Sequence, residues 1–384
     1  MKNGYRPEHI VVTGWPKYDE LFRSKHDSAE TRERLGFSDA DMVVVFLCQP
    51  SSTNEVYLSM IFSAVKGMPS AKLVIKTHPR MPDKSIFKKI AKRVGIDVRI
   101  ESEGLYELLN ACDVVITKSS MASTEAALAD RPIIIFDPID KTDMTSSLLV
   151  KKGIALGVYD ESGLLPTIKS INSSKETLSR LKKGRAGFMD SVGFDGKATE
   201  RVLGVIDSVS GQPVKKVLVF PNIATHLLVL KPLIDGLKRK GYDVMTLRYE
   251  IGYRNLMKKA MKGVEYMTLR SNDWHKKRDK SLFWKSMKML FLKEKPDLII
   301  VCDFTSSLMK PVLSDAKSMG ISSIAIQWGN IDDWYDGGTA EMPVVDRIAV
   351  ISEHDKKTLI EEFGKSGWMS QKREQWPISH SQSL

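Results

Sequence analysis

Two short stretches carry residue types that suit anion chemistry. Ser119 and Ser120 stand where an apolar run, Val114–Thr117, hands over to a helix of small residues. Backbone N–H groups and hydroxyls collect at such a junction, which suits a phosphate. Glu125 falls one turn further in, within reach of a polar group lying over the helix start. Forty residues earlier, His78 follows the apolar run Leu73–Lys76. A strand-end imidazole can donate to a phosphate or to the polar edge of a base, and Pro79 stiffens the turn that presents it. Lys76 and Arg80 add positive charge on either side. A lone strand-end histidine is commonly structural. Two such features in neighbouring strand–helix units favour a shared anion site.

These residues need a scaffold that brings strand ends together. Between residues 9 and 206 short apolar runs alternate with helical segments joined by short polar loops, the pattern of a doubly wound parallel sheet. Ser208–Pro213 reads SVSGQP, the clearest linker in the chain, and a second alternating series follows it. The expectation is an α/β protein with two Rossmann-like, doubly wound parallel-sheet domains. One spans residues 1–206 and the other 214–364, with a linker at 207–213 and a poorly ordered tail at 365–384. Ligands in such sheets bind beyond the carboxyl ends of the strands. The polar residues there are Gly14, Gln49, His78, Ser119 and Asp137, then Asn222, Asp303 and Gln327.

Bulk composition narrows the class. With 384 residues, 42% hydrophobic and 27% charged, the chain is long enough for two or three buried cores. It has no apolar run of spanning length and no apolar leader after its first residues, so the expectation is a cytoplasmic protein. Cys48, Cys112 and Cys302 lie far apart among strand-like residues and read as reduced core thiols, neither a metal site nor disulfides. The net charge of +11 is uneven: residues 254–295 hold 13 Lys/Arg against 4 Asp/Glu, a net of +9. That segment reads either as a solvated helical face or as a surface for anionic lipid at the inner face of a membrane. No nucleic-acid module is present by motif. The methionines at 257, 261, 267, 287 and 289 read as packing residues.

Taken in order, VTGWPKYDEL, FLCQP, IKTHPR and DVVITKSSMASTEAALADRPIIIFD resemble the donor-binding, C-terminal domain of GT-B glycosyltransferases. The resemblance covers residues 9–160. It is nearest to members with His-Pro and Ser-Ser motifs, the capsule and polysialic-acid transferases and the CDP-glycerol glycerophosphotransferases. It implies that His78 together with Ser119 and Ser120 holds the donor's phosphates, with Pro79 and Arg80 also in the donor site. Glu125 would then sit near the ribose or transferred group, with Gly14 and Gln49 lining the cleft. No metal or cofactor is implied, since donated hydrogen bonds and positive charge stabilise a departing nucleotide phosphate. The non-hydrolysing UDP-N-acetylglucosamine 2-epimerases share the fold, but usually carry paired glycines where this chain has Ser119-Ser120-Met121.

The second half resembles the acceptor-binding, N-terminal domain of the same superfamily through KKVLVFPNIATHLLVLKPLIDGLKRKGYDV, KPDLIIVCDFTSS and IAIQWGN. In that light His226 is a general base assisted by Asp303. The bland alternative is that each caps a helix. Trp328 stands where some relatives have histidine. Asp332 and Asp333 are further base candidates, or a solvated turn. The order of the halves is reversed relative to the usual one, which reads as a circular permutant, a segment of a tandem protein or a truncated product. The resulting expectation is transfer of a sugar or polyol phosphate from a nucleotide-activated donor to a surface-polysaccharide or lipid-linked acceptor, without nucleic acid. Its alternatives are a 2-epimerase-like enzyme and a non-catalytic nucleotide-sugar-binding fragment.

Overall fold

The computed structural model describes residues 6–23, 27–49, 55–78, 81, 83–102, 104–118, 122–139, 149–192, 194–209, 213–223, 225–249, 264–269, 280–304, 306–329 and 345–361. The chain forms two compact units, Leu21–Ser191 and a second made of Met1–Glu20 with Val192–Leu384. Both are Rossmann-like, doubly wound α/β domains with parallel sheets.

The Leu21–Ser191 unit holds a six-stranded sheet. Its strands are β2 (Met42–Leu47), β3 (Ala71–Lys76), β4 (Val98–Glu101), β5 (Val114–Thr117), β6 (Ile133–Phe136) and β7 (Leu156–Val158), in the order β4-β3-β2-β5-β6-β7. Every pairing is parallel. Taken in chain order this is 3-2-1-4-5-6, with the crossover reversing between β2 and β5. The strands read as continuous apolar runs because both faces are covered. Val44 and Phe46 point into one core with Ile116 and Ile134, while Val43, Val45 and Leu47 point into the other with Val115 and Ile133. Helices α2 (Ser28–Leu35), α3 (Glu55–Lys66), α4 (Ser85–Val94), α5 (Leu105–Ala111), α6 (Ala122–Leu128), α7 (Leu164–Ser173) and α8 (Lys175–Val192) make the crossovers and the unit's end. Asp27 caps α2 by accepting from the N–H groups of Ala29 and Glu30, and Gly36 closes it at φ 78°.

The other unit holds a seven-stranded sheet in the order β1-β13-β12-β11-β8-β9-β10. Its strands are β1 (Ile10–Val12), β8 (Lys216–Phe220), β9 (Asp243–Tyr249), β10 (Met267–Leu269), β11 (Leu298–Val301), β12 (Ser322–Ile326) and β13 (Arg347–Val350). They too pair only in parallel. From β8 onward the order is again 3-2-1-4-5-6, with β1 added at the far edge. Helices α10 (His226–Arg239), α11 (Ser281–Glu294) and α12 (Met309–Ser318) lie between its strands, and α13 (Glu353–Glu361) follows β13.

The expected boundary at residues 207–213 shifts in two places. Strand β1 was assigned to the first domain but pairs in register with β13, Ile10 opposite Ile348 and Val12 opposite Val350. Helix α9 (Ala198–Val209) also belongs with the seven-stranded sheet. Short helix α1 (Asp19–Arg23) begins with Asp19, whose buried carboxylate accepts from the N–H groups of Ala198 (3.0 Å) and Thr199 (2.6 Å). Arg201 Nε donates to the Thr13 carbonyl at 2.8 Å. A carboxylate closing the start of another helix is charge-assisted and local in space, but 180 residues apart in sequence. Linker-like composition at 208–213 therefore marks the end of α9 and not the border between units. The expected tail at 365–384 lies outside the described residues, as do Asp332 and Asp333.

Candidate functional site

Each sheet reverses its winding at one place, and there the loops at the strand ends diverge to leave a crevice. In the six-stranded sheet that place is between β2 and β5. Gln49 lies just beyond β2, His78 beyond β3, Lys118 beyond β5 and Asp137 beyond β6. Gln49 and His78 are half-buried and Asp137 is buried. His78 is presented by a tight turn in which its carbonyl accepts from Met81 N–H at 2.9 Å. The turn is entered through Thr77, whose N–H and hydroxyl both bond the Glu101 carbonyl. Glu125 is buried in the first turn of α6. The sequence missed Lys118. Its ammonium lies 3.8 Å from the Asp137 carboxylate, with side chains 12% and 2% exposed. A lysine directly after a buried strand, facing the crossover reversal, was the available signal. Tyr57 donates to the Phe136 carbonyl at 2.6 Å, fixing the strand end that carries Asp137. Burial first, and the Asp137 charge second, push its phenol above the usual range. Pro79, Arg80, Ser119 and Ser120 lie outside the described residues.

A groove lined by Asp39, Asp41, Ser70 and Asp113 marks the opposite, amino-end edge of this sheet. Arg32 takes up Asp113 there with two bonds of 2.9 Å, so that edge reads as structural.

The seven-stranded sheet reverses between β8 and β11, and its crevice is built differently. Asn222 lies two residues past β8, His226 opens α10, Asp303 lies two residues past β11, and Trp328 two past β12. The His226 ring packs on Trp328 with centroids 5.0 Å apart. The expected His226–Asp303 contact does not form, because Asn222 stands between them. Its backbone N–H donates to His226 Nδ1 at 3.3 Å, and its side-chain Nδ2 donates to Asp303 Oδ2 at 2.9 Å. The other Asp303 oxygen accepts from Ser306 N–H at 3.1 Å.

Those bonds settle two assignments. A backbone N–H can only donate, so His226 Nδ1 is unprotonated, and the neutral ring carries its proton on Nε2. A carboxylate can only accept, so Asn222 turns its amide nitrogen to Asp303 and its Oδ1 the other way. Both residues are buried, at 2% and 7% exposed, and neither His226 Nε2 nor Asn222 Oδ1 has a hydrogen-bond partner among the described residues. Burial holds the His226 pKa down at about 3, so the ring is neutral near pH 7. One buried donor and one buried acceptor are thus left without a partner among the described residues, next to the carboxylate of Asp303.

Gly14 lies in this unit, after β1 at φ 76°, a conformation that suits glycine. It does not belong to the unit of His78 and Gln49. Gln327 is structural: its amide donates to the Gly329 carbonyl and accepts from Ile351 N–H, tying the end of β12 to that of β13.

A family model for UDP-N-acetylglucosamine 2-epimerase matches residues 1–207. The chain belongs to that family. The match takes in the whole crevice of the six-stranded sheet and stops before Asn222, His226 and Asp303. The chain is also 31% identical over 121 residues to a lipid-A-disaccharide synthase of Albidiferax ferrireducens, covering 28% of this chain and 29% of that protein. It thus spans under a third of that curated relative. Among solved structures, a putative UDP-N-acetylglucosamine 2-epimerase from Listeria monocytogenes is similar at TM-score 0.42 and 18% identity, over 53% of this chain and 55% of that one. The C-terminal domain of a group 1 glycosyl transferase from Francisella tularensis is similar at TM-score 0.36 and 11% identity, over 45% of this chain and 95% of that one. The wall teichoic acid polymerase TagF is similar at TM-score 0.39 and 16% identity, over 53% of this chain and 52% of that one.

Proposed function

We propose that the chain transfers a sugar, or a polyol phosphate, from a nucleotide-activated donor to a hydroxyl of a surface-polysaccharide or lipid-linked acceptor. One observation carries the reading. Outside the family match, a neutral donor–acceptor pair, His226 Nε2–H and Asn222 Oδ1, is buried without a partner among the described residues, next to a carboxylate. That set suits a hydroxyl, which both accepts and donates, better than it suits an anion.

The roles divide by unit. In the Leu21–Ser191 unit, His78, Lys118 and the start of α6 (with Ser119 and Ser120 leading into it) hold the donor's phosphates. Gln49 and Glu125 face its sugar or ribose. Positive charge and N–H donors stabilise the departing nucleotide phosphate with the protein's own groups. In the other unit His226 donates to the acceptor oxygen and Asn222 accepts from a neighbouring hydroxyl. Asp303 takes the proton as general base. His226 thereby becomes a positioning donor, because the nitrogen that is free to meet the acceptor already carries a proton.

Family membership favours a second reading, epimerisation of UDP-N-acetylglucosamine at C2, which needs no acceptor. Incubation with UDP-, CDP-, GDP- and CMP-activated sugars and CDP-glycerol, with and without polyol or saccharide acceptors, separates the two. Transfer requires that nucleotide release depend on acceptor and fall about 100-fold in Asp303→Asn. A C2 epimer formed without acceptor overturns the proposal in favour of the epimerase.

A further inference from the structure

Helix α11 turns Phe283, Met287, Leu290 and Phe291 into the core of the seven-stranded unit. Its other face is unusual for a water-facing helix. Leu282, Met289 and Leu292 are 45%, 65% and 54% exposed. With Lys285 they fall at intervals of three and four residues, one stripe along the helix. Lys285, Lys288 and Lys293 are exposed on and beside that stripe, and exposed Lys295 follows the helix end. The helix's single acid, Glu294, is turned to Lys216 at 2.7 Å and to Lys293 at 3.5 Å. Lys288 lies 4.0 Å from Asp315, at the limit of an ion pair.

We propose that this face of α11 lies on an anionic lipid bilayer. Leu282, Met289 and Leu292 enter the boundary between headgroups and acyl chains, and the lysine ammoniums meet lipid phosphates. The chemistry on each side is complementary: an interfacial helix needs an apolar stripe flanked by cations, and lysine stems reach along apolar surface to bring charge to the headgroups. A second copy of the chain fits worse. A self-complementary contact through this face would set the lysines of one copy against those of the other. The contact is peripheral, since no helix among the described residues is long and apolar enough to cross a membrane. The surface narrows the basic segment 254–295 to one face of 281–295, and it is independent of the reaction performed. Its position links it to the crevice: Lys280 donates to Ser307 Oγ at 2.6 Å and Trp284 Nε1 to the Leu308 carbonyl at 2.9 Å. The helix therefore starts beside the turn that Asp303 opens.

The test is flotation of the full chain with vesicles of phosphatidylglycerol and phosphatidylcholine, against vesicles of phosphatidylcholine alone. The expected result is binding to the anionic vesicles, weakened by salt and absent on the neutral ones. Met289→Gln with Leu292→Gln keeps every charge and replaces only exposed side chains, so melting is unchanged while partitioning falls about tenfold. Lys285→Gln with Lys293→Gln lowers it about as much. Failure to bind anionic vesicles overturns the proposal. So does undiminished binding of the apolar-face variant, which would show only the general attraction of a basic chain. A concentration-dependent dimer in sedimentation, abolished by that variant, would assign the face to a second copy instead.

Discussion

The two crevices share one topology and differ in charge. In each sheet the fourth strand, counted in the winding order, ends at the crossover reversal on an ionisable residue: Lys118 after β5, Asp303 after β11. The first strand ends on an amide in each, Gln49 after β2 and Asn222 after β8. The backbone frame is therefore the same, while the ionisable residues differ both in sign and in place: Lys118 stands one residue past its strand and Asp303 two residues past its own. Lys118 lies 3.8 Å from the buried carboxylate of Asp137. Asp303 accepts from the side chain of Asn222, whose backbone N–H meets a neutral histidine. The same winding reversal thus carries different residue chemistry in the two sheets.

The sharpest way to break this comparison is to remove the cation. Lys118→Met takes the ammonium away from the Asp137 carboxylate, 2% exposed at its side chain. Breaking a buried ion pair by removing one member destabilises, so urea melts should show a loss of about 3 kcal/mol, with Lys118→Arg recovering part of it. A change within error would mean that the pair is screened and that the charge contrast between the crevices is overstated.

The neutral side is tested by pH. His226 has a folded pKa of about 3, below the ordinary 6.5 of an unfolded histidine. Between those values the unfolded chain binds a proton that the folded chain refuses, so its contribution to stability is complete above pH 6.5 and is lost as pH falls toward 3. The slope is at most about 1.4 kcal/mol per pH unit. His226→Gln should flatten the acid limb of urea melts taken from pH 7 to 4. An unchanged limb would show that the folded ring takes up a proton as readily as the unfolded one, and Nδ1 could not then remain the acceptor of the Asn222 N–H through that range.

The sheets could be read ahead of the structure because buried parallel strands leave unbroken apolar runs, as in Val114–Thr117, Ile133–Phe136 and Leu298–Val301. What could not be read was which sheet a short strand joins. Ile10–Val12 has three residues, and its partner β13 lies more than 330 positions away. No local pattern encodes that pairing. The same limit applied at the sites. Strand-end position picked out His78, His226 and Asp303, but the expected His226–Asp303 dyad required knowing that Asn222 intervenes. Its backbone N–H faces one residue and its side chain the other, a consequence of the turn after β8 and not of residue type. Lys118 went unnoticed because lysine at a strand end is usually solvated; its burial against Asp137 is a product of packing.

The finest distinction between the crevices concerns which one meets the nucleotide. If His78 contacts a donor phosphate, His78→Ala should cut affinity for that donor about tenfold, near the value of one charge-assisted hydrogen bond. The side chain is half-buried at a strand end, so the melting temperature of the unliganded protein should hardly move. Thermal shifts with UDP, CDP, GDP and CMP on wild type, His78→Ala and His226→Gln read both crevices at once. The expected pattern is a ligand-induced shift that shrinks in His78→Ala and persists in His226→Gln. Equal shifts in wild type and His78→Ala would remove His78 from the donor site. A shift lost only in His226→Gln would place the nucleotide in the crevice of the seven-stranded sheet and reverse the division of labour, because a neutral donor facing Asp303 would then have to serve a phosphate. The residues at the two strand ends argue against that outcome: a carboxylate at Asp303 repels an anion, whereas Lys118, beside Asp137, does not.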